Sequence, residues 1–284
     1  MEQEERIKLQ VLIATFGEEG LQRVAKMKLP ELPEVEYLVS CQIPKQPEPP
    51  LPPSLKRDDI KISFSDSRGL SRNRNILLKK ATAPLCLIAD DDLSYEASAL
   101  LEVIHTFEKH SEISIATFMY CNQDGETEKP YPDDSFDLRH PAKGYFLTSV
   151  EIAFRRKNIE KENILFNENF GVGASHYGCG EEDIWMHQLL KSGLSARFFP
   201  IMLTVHSGAT TGLREASKPE VLRAQGVVIA ITYPLTSLPR VVLKAWRISK
   251  RTEASFLKCF RYLIKGWADS FVKRKELFGH SRYS

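Results

Sequence analysis

The chain has 284 residues, 42% of them hydrophobic and 27% charged, with a net charge of only +2. This is ordinary globular composition, and the length suits one large α/β domain, alone or with a small appendage, that buries roughly 70–75% of the unfolded chain's surface and needs no disulfide staple. Five scattered cysteines without a C-x-x-C pair argue against a disulfide framework or a zinc site. No apolar run reaches the ~18 residues of a spanning helix, and the acidic start Met1-Glu-Gln-Glu-Glu-Arg6 is unlike a signal peptide. The expected compartment is the cytoplasm.

In chain order, Val11–Phe16 predicts a buried strand and Gly17–Lys28 a helix. Val35–Ser40 is a second strand. Ile43–Ser54 holds six prolines and must be an extended loop. Ile60–Phe64 alternates as a third strand, Ser71–Ala83 is a helix stopped by Pro84, and Leu85–Ala89 is a fourth strand running directly into Asp90, Asp91 and Asp92. Ser94 is the expected N-cap of a helix through His110, and Ser114–Tyr120 a fifth strand. The alternation predicts a mostly parallel sheet covered by helices, in which ligands bind beyond the carboxyl ends of the strands. The three aspartates sit at such an end. Further on, Gln123–Ala142 reads as a polar loop, Ile152–Arg155 as a short strand, and Phe166–Gly180 as irregular. Glu181–Ser192 is a helix stopped by Gly193, and Arg197–His206 an apolar strand.

Three adjacent carboxylates repel one another by several kcal/mol in a partly buried site. A divalent cation resolves that repulsion, and Mg²⁺ or Mn²⁺ prefers carboxylate and phosphate oxygens. An N-cap cluster is the simpler alternative, although one Asp serves that purpose. Arg72 and Arg74 lie on the preceding helix, where guanidinium groups suit a nucleotide diphosphate; a solvated charged face is the plain alternative. A second acidic cluster, Gly178-Cys-Gly-Glu-Glu-Asp183, opens the later helix.

Gly69-Leu-Ser-Arg-Asn-Arg-Asn75 followed by Ile88-Ala-Asp-Asp-Asp92 resembles the inverting, bacterial-type glycosyltransferases of family 2 with the GT-A fold, over about residues 8–212. The resemblance implies a GT-A-like (Rossmann-related) sheet domain, here 1–218, and transfer of a sugar from a nucleotide-sugar, UDP being the family's usual nucleotide, to a hydroxyl of a glycan or lipid-linked acceptor. Arg74 and Asn75 match the family's Arg-Asn pair. Asp90, Asp91 and Asp92 fall on its aspartate motif, which implies Asp92 as the direct metal ligand with Asp90 beside it and Mn²⁺ or Mg²⁺ as cofactor. Asp183 matches the catalytic base, with Glu182 its neighbour. His206 falls where many such enzymes carry a further metal ligand, although a lone strand-end histidine also serves structure. Thr15 and Phe16 fall where the family contacts the nucleobase; Phe16 can equally be a core aromatic. The family's aspartate after strand two is replaced by Gln42, whose amide can still pair with a uracil edge.

A sugar nucleotidyltransferase shares the sheet and the carboxylates, but the loop Gly17-Glu-Glu-Gly20 is acidic and unsuited to a triphosphate. A catalytically inactive nucleotide-sugar-binding protein is a third alternative, opposed by the retention of Asp183.

The tail, 219–284, differs in composition. From Arg240 to Lys275 it has eleven basic residues against two acidic ones. Phe256, Leu257, Phe260, Leu263, Ile264, Trp267 and Phe271 recur at helical spacing, which predicts a basic amphipathic helix. Such a helix either packs its apolar stripe on the protein or lies on an anionic membrane surface, here the inner face of the membrane. No recognition motif for nucleic acid accompanies the charge.

Overall fold

The structure is a computed structural model and describes residues 7–207 and 215–278. The chain divides into two compact units. The first comprises the described residues of Met1–Arg68, Asn73–Leu165 and Ser192–Gly208, the second those of Gly69–Arg72, Phe166–Lys191 and Ala209–Ser284.

The first unit is built on an open nine-stranded sheet. Strands β1 (Leu9–Phe16), β2 (Val35–Gln42), β3 (Ile60–Ser65) and β4 (Leu85–Asp90) form its parallel half in the order β3-β2-β1-β4. β1, β2 and β4 are largely apolar, as strands covered on both faces must be, with Leu9, Val11, Ile13, Val35, Leu87 and Ala89 fully buried, whereas the edge strand β3 alternates and is only partly buried. Helices α1 (Gly17–Val24), α2 (Leu70–Lys80) and α3 (Ala97–Lys109) carry the crossovers. The α/β class expected from the alternation is therefore what the chain adopts, with helices flanking a central open sheet.

Beyond β4 the sheet becomes mixed. Strand β8 (Ile152–Arg155) enters antiparallel between β4 and β6 (Ile115–Cys121). Strand β9 (Ala196–His206) runs parallel to β6. Two short strands escape a reading by periodicity. Strand β7 (Phe136–Asp137) lies inside the stretch expected to be loop and pairs with β9. Strand β5 (Leu93–Tyr95) follows the aspartates and pairs antiparallel with β9, with Leu93 opposite His206 and Tyr95 opposite Thr204. Ser94 is thus a strand residue and not the expected N-cap. The reason is local alternation, since Leu93 and Tyr95 are buried and cannot lie in a solvated turn; α3 begins after Glu96 without a side-chain cap. Helix α1 ends at Val24 rather than near Lys28, and a further helix, α4 (Arg156–Glu162), follows β8.

The second unit is helical: α5 (Glu181–Lys191), α6 (Pro219–Thr232), α7 (Ser237–Arg251), α8 (Phe256–Val272) and α9 (Arg274–Phe278). Helices α6 and α8 cross through glycine. A Cβ on Gly226 would lie 2.1 Å from the Leu263 carbonyl oxygen, and one on Gly266 would lie 1.9 Å from that of Arg223, so only hydrogen fits at either position. This decides which face of α8 is buried. Cys259, Leu263, Gly266 and Ser270 pack inward, whereas Phe256, Leu257 and Phe271 of the expected apolar stripe remain exposed. Trp267 is half-buried and donates its indole N–H to Ser237 Oγ at 2.9 Å. No described helix is long and apolar enough to cross a membrane.

Candidate functional site

The carboxyl end of β4 delivers the three aspartates, and the strand register decides what each meets. Asp90 is the last residue of β4 and stands beside Ala14 of β1. Its carboxylate accepts from Arg74 Nη2 at 2.8 Å, and the same nitrogen donates to Ser149 Oγ at 2.8 Å. Arg74 is 2% exposed. In the structure it holds Asp90 rather than offering its guanidinium to solvent.

Asp91 turns toward β1 and α1. Thr15 Oγ1 donates to it, and Arg23 grips both carboxylate oxygens, with Nε and Nη2 each at 2.9 Å. Burial raises its pKa above the ordinary carboxylate range, while the Arg23 and Thr15 hydrogen bonds pull the other way. The contact depends on Gly20, because a Cβ there would sit 2.2 Å from Thr15 Oγ1 and 3.0 Å from the Asp91 carboxylate.

Asp92 meets His206. The β5–β9 pairing brings the two together, reinforced by the Ser207 N–H donating to the Asp92 carbonyl at 3.0 Å. His206 Nε2 lies 3.3 Å from Asp92 Oδ2. Burial opposes protonation of the ring, but the hydrogen bond and charge of Asp92 prevail and its pKa is raised. Asp92 Oδ1 and His206 Nδ1 are both buried without a hydrogen-bond partner among the described residues. Buried polar atoms of this kind call for an explanation, and a ligand or ion is one.

Among the described residues no group of three His, Cys, Asp or Glu side chains is arranged to hold a metal ion. Of the expected metal set, Asp92 and His206 are together and Asp90 is engaged with Arg74. Two protein donors, with phosphate oxygens of a substrate supplying the rest, still match how Mg²⁺ and Mn²⁺ are commonly held, and the two unspent donor atoms fit that use.

The nucleobase candidates divide. Phe16 ends β1 and is 47% exposed, so it is no core aromatic. Gln42 ends β2 and is buried, with Nε2 donating to Ser67 Oγ at 2.8 Å. Asn73, which sequence reasoning passed over, donates through Nδ2 to the carbonyls of Thr15 and Ser40, both at 2.9 Å. It ties together the ends of the two strands that carry Thr15 and Gln42. Asn75 is also buried.

A polar anchor follows in the same unit. Lys129 and Glu151 pair at 2.8 Å, both side chains fully buried. The ammonium lies 4.7 Å from the ring centroids of Tyr145 and Phe146 and 5.0 Å from that of Tyr131. Glu151 also accepts from Tyr131 and closes a capping box with Thr148. This cage ties Lys129 and Tyr131, inside the stretch expected to be loop, to Glu151.

In the second unit, Glu181, Glu182 and Asp183 form the first turn of α5, where the helix dipole favours acids. Trp185 is fully buried and stacks on Phe166 at 4.4 Å, which sets the roll of the helix. Cys179 packs with its thiol toward the Val221 carbonyl, and burial with the charges of Glu182, Glu181 and Asp183 raises its pKa. Lys244 of α7 senses the Asp183 carboxylate: burial lowers its pKa and Asp183 opposes that. Arg72 pairs on the surface with Glu168 at 2.8 Å.

Residues 53–173 match the family model described as Glycosyl transferase family 2. No curated protein matches in sequence. Among solved structures, S. aureus TarS 1-349 in complex with UDP-GlcNAc is similar at a TM-score of 0.56 and 16% identity, over 88% of this chain and 74% of that one. Its complex with UDP gives a TM-score of 0.53 and 15% identity, over 88% and 73%. The longer S. aureus TarS structure gives 0.54 and 16%, over 96% of this chain but 46% of that chain. At these identities the likeness speaks for the fold. The family match, over residues 53–173, speaks for the chemistry, and the chain is a glycosyltransferase.

Proposed function

We propose that the chain transfers a sugar from a nucleoside diphosphate sugar, with UDP as the nucleotide, to a hydroxyl of a glycan or lipid-linked acceptor, inverting the anomeric carbon. The observation that carries this is the end of β4, where Asp92, inside the segment that matches the family, meets His206 with one buried, unspent donor atom each. That folds like this one were crystallised with UDP and UDP-GlcNAc supports the choice of donor.

Asp92 and His206 would hold Mn²⁺ or Mg²⁺ together with the donor diphosphate. When bound, such an ion neutralises charge developing on the leaving diphosphate. Exposed Phe16 offers a face for the base, and Gln42, at the end of β2, is assigned to its edge by its place in the family pattern. Asp91 positions Thr15, and Arg74 acts on the donor through Asp90. Arg72 and Asn75 flank Arg74 on α2 and are assigned to the donor by the family motif. For the transfer itself, Asp183 accepts the acceptor proton as that oxygen bonds to the anomeric carbon and the bond to the diphosphate breaks. Glu182 is the carboxylate whose removal separates a general charge effect from base catalysis.

The test uses the full chain, UDP-sugars and Mn²⁺. Asp92→Asn is expected to abolish the metal-dependent rise in thermal midpoint with UDP. Asp183→Asn is expected to keep that rise and lose roughly 10²–10⁴ in turnover, with Glu182→Gln affected far less. Full UDP stabilisation in Asp92→Asn would refute the metal assignment, and full turnover in Asp183→Asn the base.

A further inference from the structure

Helix α7 has a face that nothing among the described residues covers. Its inward side is clear: Ser237, Val241, Ala245 and Ile248 are buried, the last three clustered with Leu222, Cys259 and Leu263. Beside it Leu238, Val242 and Trp246 follow one another at four-residue spacing and are 48%, 46% and 52% exposed. Leu235, just before the helix, is 98% exposed. Single exposed apolar residues are unremarkable on a protein surface, but three at four-residue spacing form an apolar stripe along the helix.

Charge sorts around the stripe. Projected at 100° per residue, the side chains of Arg240, Arg247, Lys250 and Arg251 fall together along one border of it, and all four are exposed. Arg240 is held in place over the Tyr233 ring, 3.7 Å from its centroid. The helix from Ser237 to Arg251 contains no acidic residue. A helix with one buried face and an outward face divided into an apolar and a basic strip has the form of an interfacial helix. Anionic headgroups attract each such basic side chain. Self-association through this face would set arginine against arginine across a two-fold axis, so the charge selects an anionic partner. The aromatic and aliphatic tips have no use against a phosphate backbone but suit the boundary between headgroups and acyl chains.

We propose that α7 docks on an anionic lipid surface, with Leu238, Val242 and Trp246 inserted at the headgroup level and Arg240, Arg247, Lys250 and Arg251 against the anionic headgroups. The contact is made by α7 and not by the bulky residues of α8 that a reading of the tail by periodicity selects. The proposal is independent of the transferase assignment, since it needs neither donor nor metal.

The full chain is tested by co-sedimentation with extruded phosphatidylcholine vesicles, with and without phosphatidylglycerol. Binding is expected to be at least roughly tenfold stronger with phosphatidylglycerol and to weaken at high salt, with a blue shift of Trp emission. The double variant Leu238→Ser, Trp246→Ser should lose binding to both vesicles. Arg247→Glu with Lys250→Glu should lose the preference for phosphatidylglycerol. All four positions are exposed, so an unchanged thermal midpoint and an unchanged circular dichroism spectrum check each variant. Equal binding to both vesicle types, or full binding by either double variant, overturns the proposal. So does a lack of vesicle binding coupled to a dimer that Leu238→Ser, Trp246→Ser dissociates, which would assign the face to a second copy of the chain.

Discussion

Replacing Lys129 by Met tests whether the buried ion pair organises the segment that leads from β6 to β8. Met preserves the length of the side chain and its contacts with Tyr131, Tyr145 and Phe146, but removes the charge and the donors to Glu151, Thr148 and the Phe146 carbonyl. Glu151 then remains fully buried with Tyr131 and the Thr148 N–H as donors. Breaking one side of a buried pair costs about 3–5 kcal/mol, because the charge left behind is uncompensated. Burial already pushes the Glu151 carboxyl upward, and Lys129 is the main force holding it down. Without Lys129 its pKa rises further, so the folded variant binds a proton that the unfolded chain releases near the ordinary carboxylate value. The penalty must therefore grow as the pH rises above that value and shrink toward acid. Urea unfolding followed by far-ultraviolet circular dichroism is the assay, since all three tryptophans, Trp185, Trp246 and Trp267, belong to the second unit and do not report on this one. The double variant Lys129→Met, Glu151→Met should recover most of the loss, because an apolar pair of similar volume is often neutral. A cost below about 1 kcal/mol in Lys129→Met, or one independent of pH, would show that the pair is not charged in the fold.

Two further outcomes follow from particular contacts. Burial, helped by the charge of Lys191, lowers the His187 pKa to about 4, and its Nε2 is buried without a partner among the described residues. The unfolded chain therefore takes up a proton that the folded one refuses, so stability falls as the pH drops through about 6.5 and levels off below about 4, with a ceiling of about 3 kcal/mol. His187→Gln should flatten that acid limb in urea unfolding at successive pH values; a limb of unchanged size would remove His187 as its source. Gly20→Ala sets a methyl group against Thr15 Oγ1 and Asp91. It is expected to cost about 1–3 kcal/mol and to weaken UDP binding by roughly tenfold on a thermal-shift titration, and unaltered UDP binding would detach the Thr15–Asp91 contact from the donor site.

What was legible in the sequence was whatever depends on local pattern. The apolar runs of β1, β2 and β4 are visible because strands buried on both faces admit few polar residues, and their ends place Thr15, Gln42 and Asp90 together through register alone. The first turn of α5 shows in its acids. Side-chain allegiance was not visible, because it is set by partners far along the chain. Arg74 reads as a free guanidinium near a sheet edge, yet it spends itself on Asp90 and Ser149, the latter 75 positions away. Arg23 is an ordinary last-turn cation until β4 brings Asp91 within 2.9 Å. The pairing of Asp92 with His206 depends on β5, a strand of three residues and too short to show a period. The tail shows the same limit from the other direction. Hydrophobic bulk points to Phe256, Leu257 and Phe271, but close helix crossing selects for the absence of bulk. Gly226 and Gly266 therefore choose the face of α8 that goes inward, and the large side chains stay at the surface because a backbone-to-backbone contact cannot admit them.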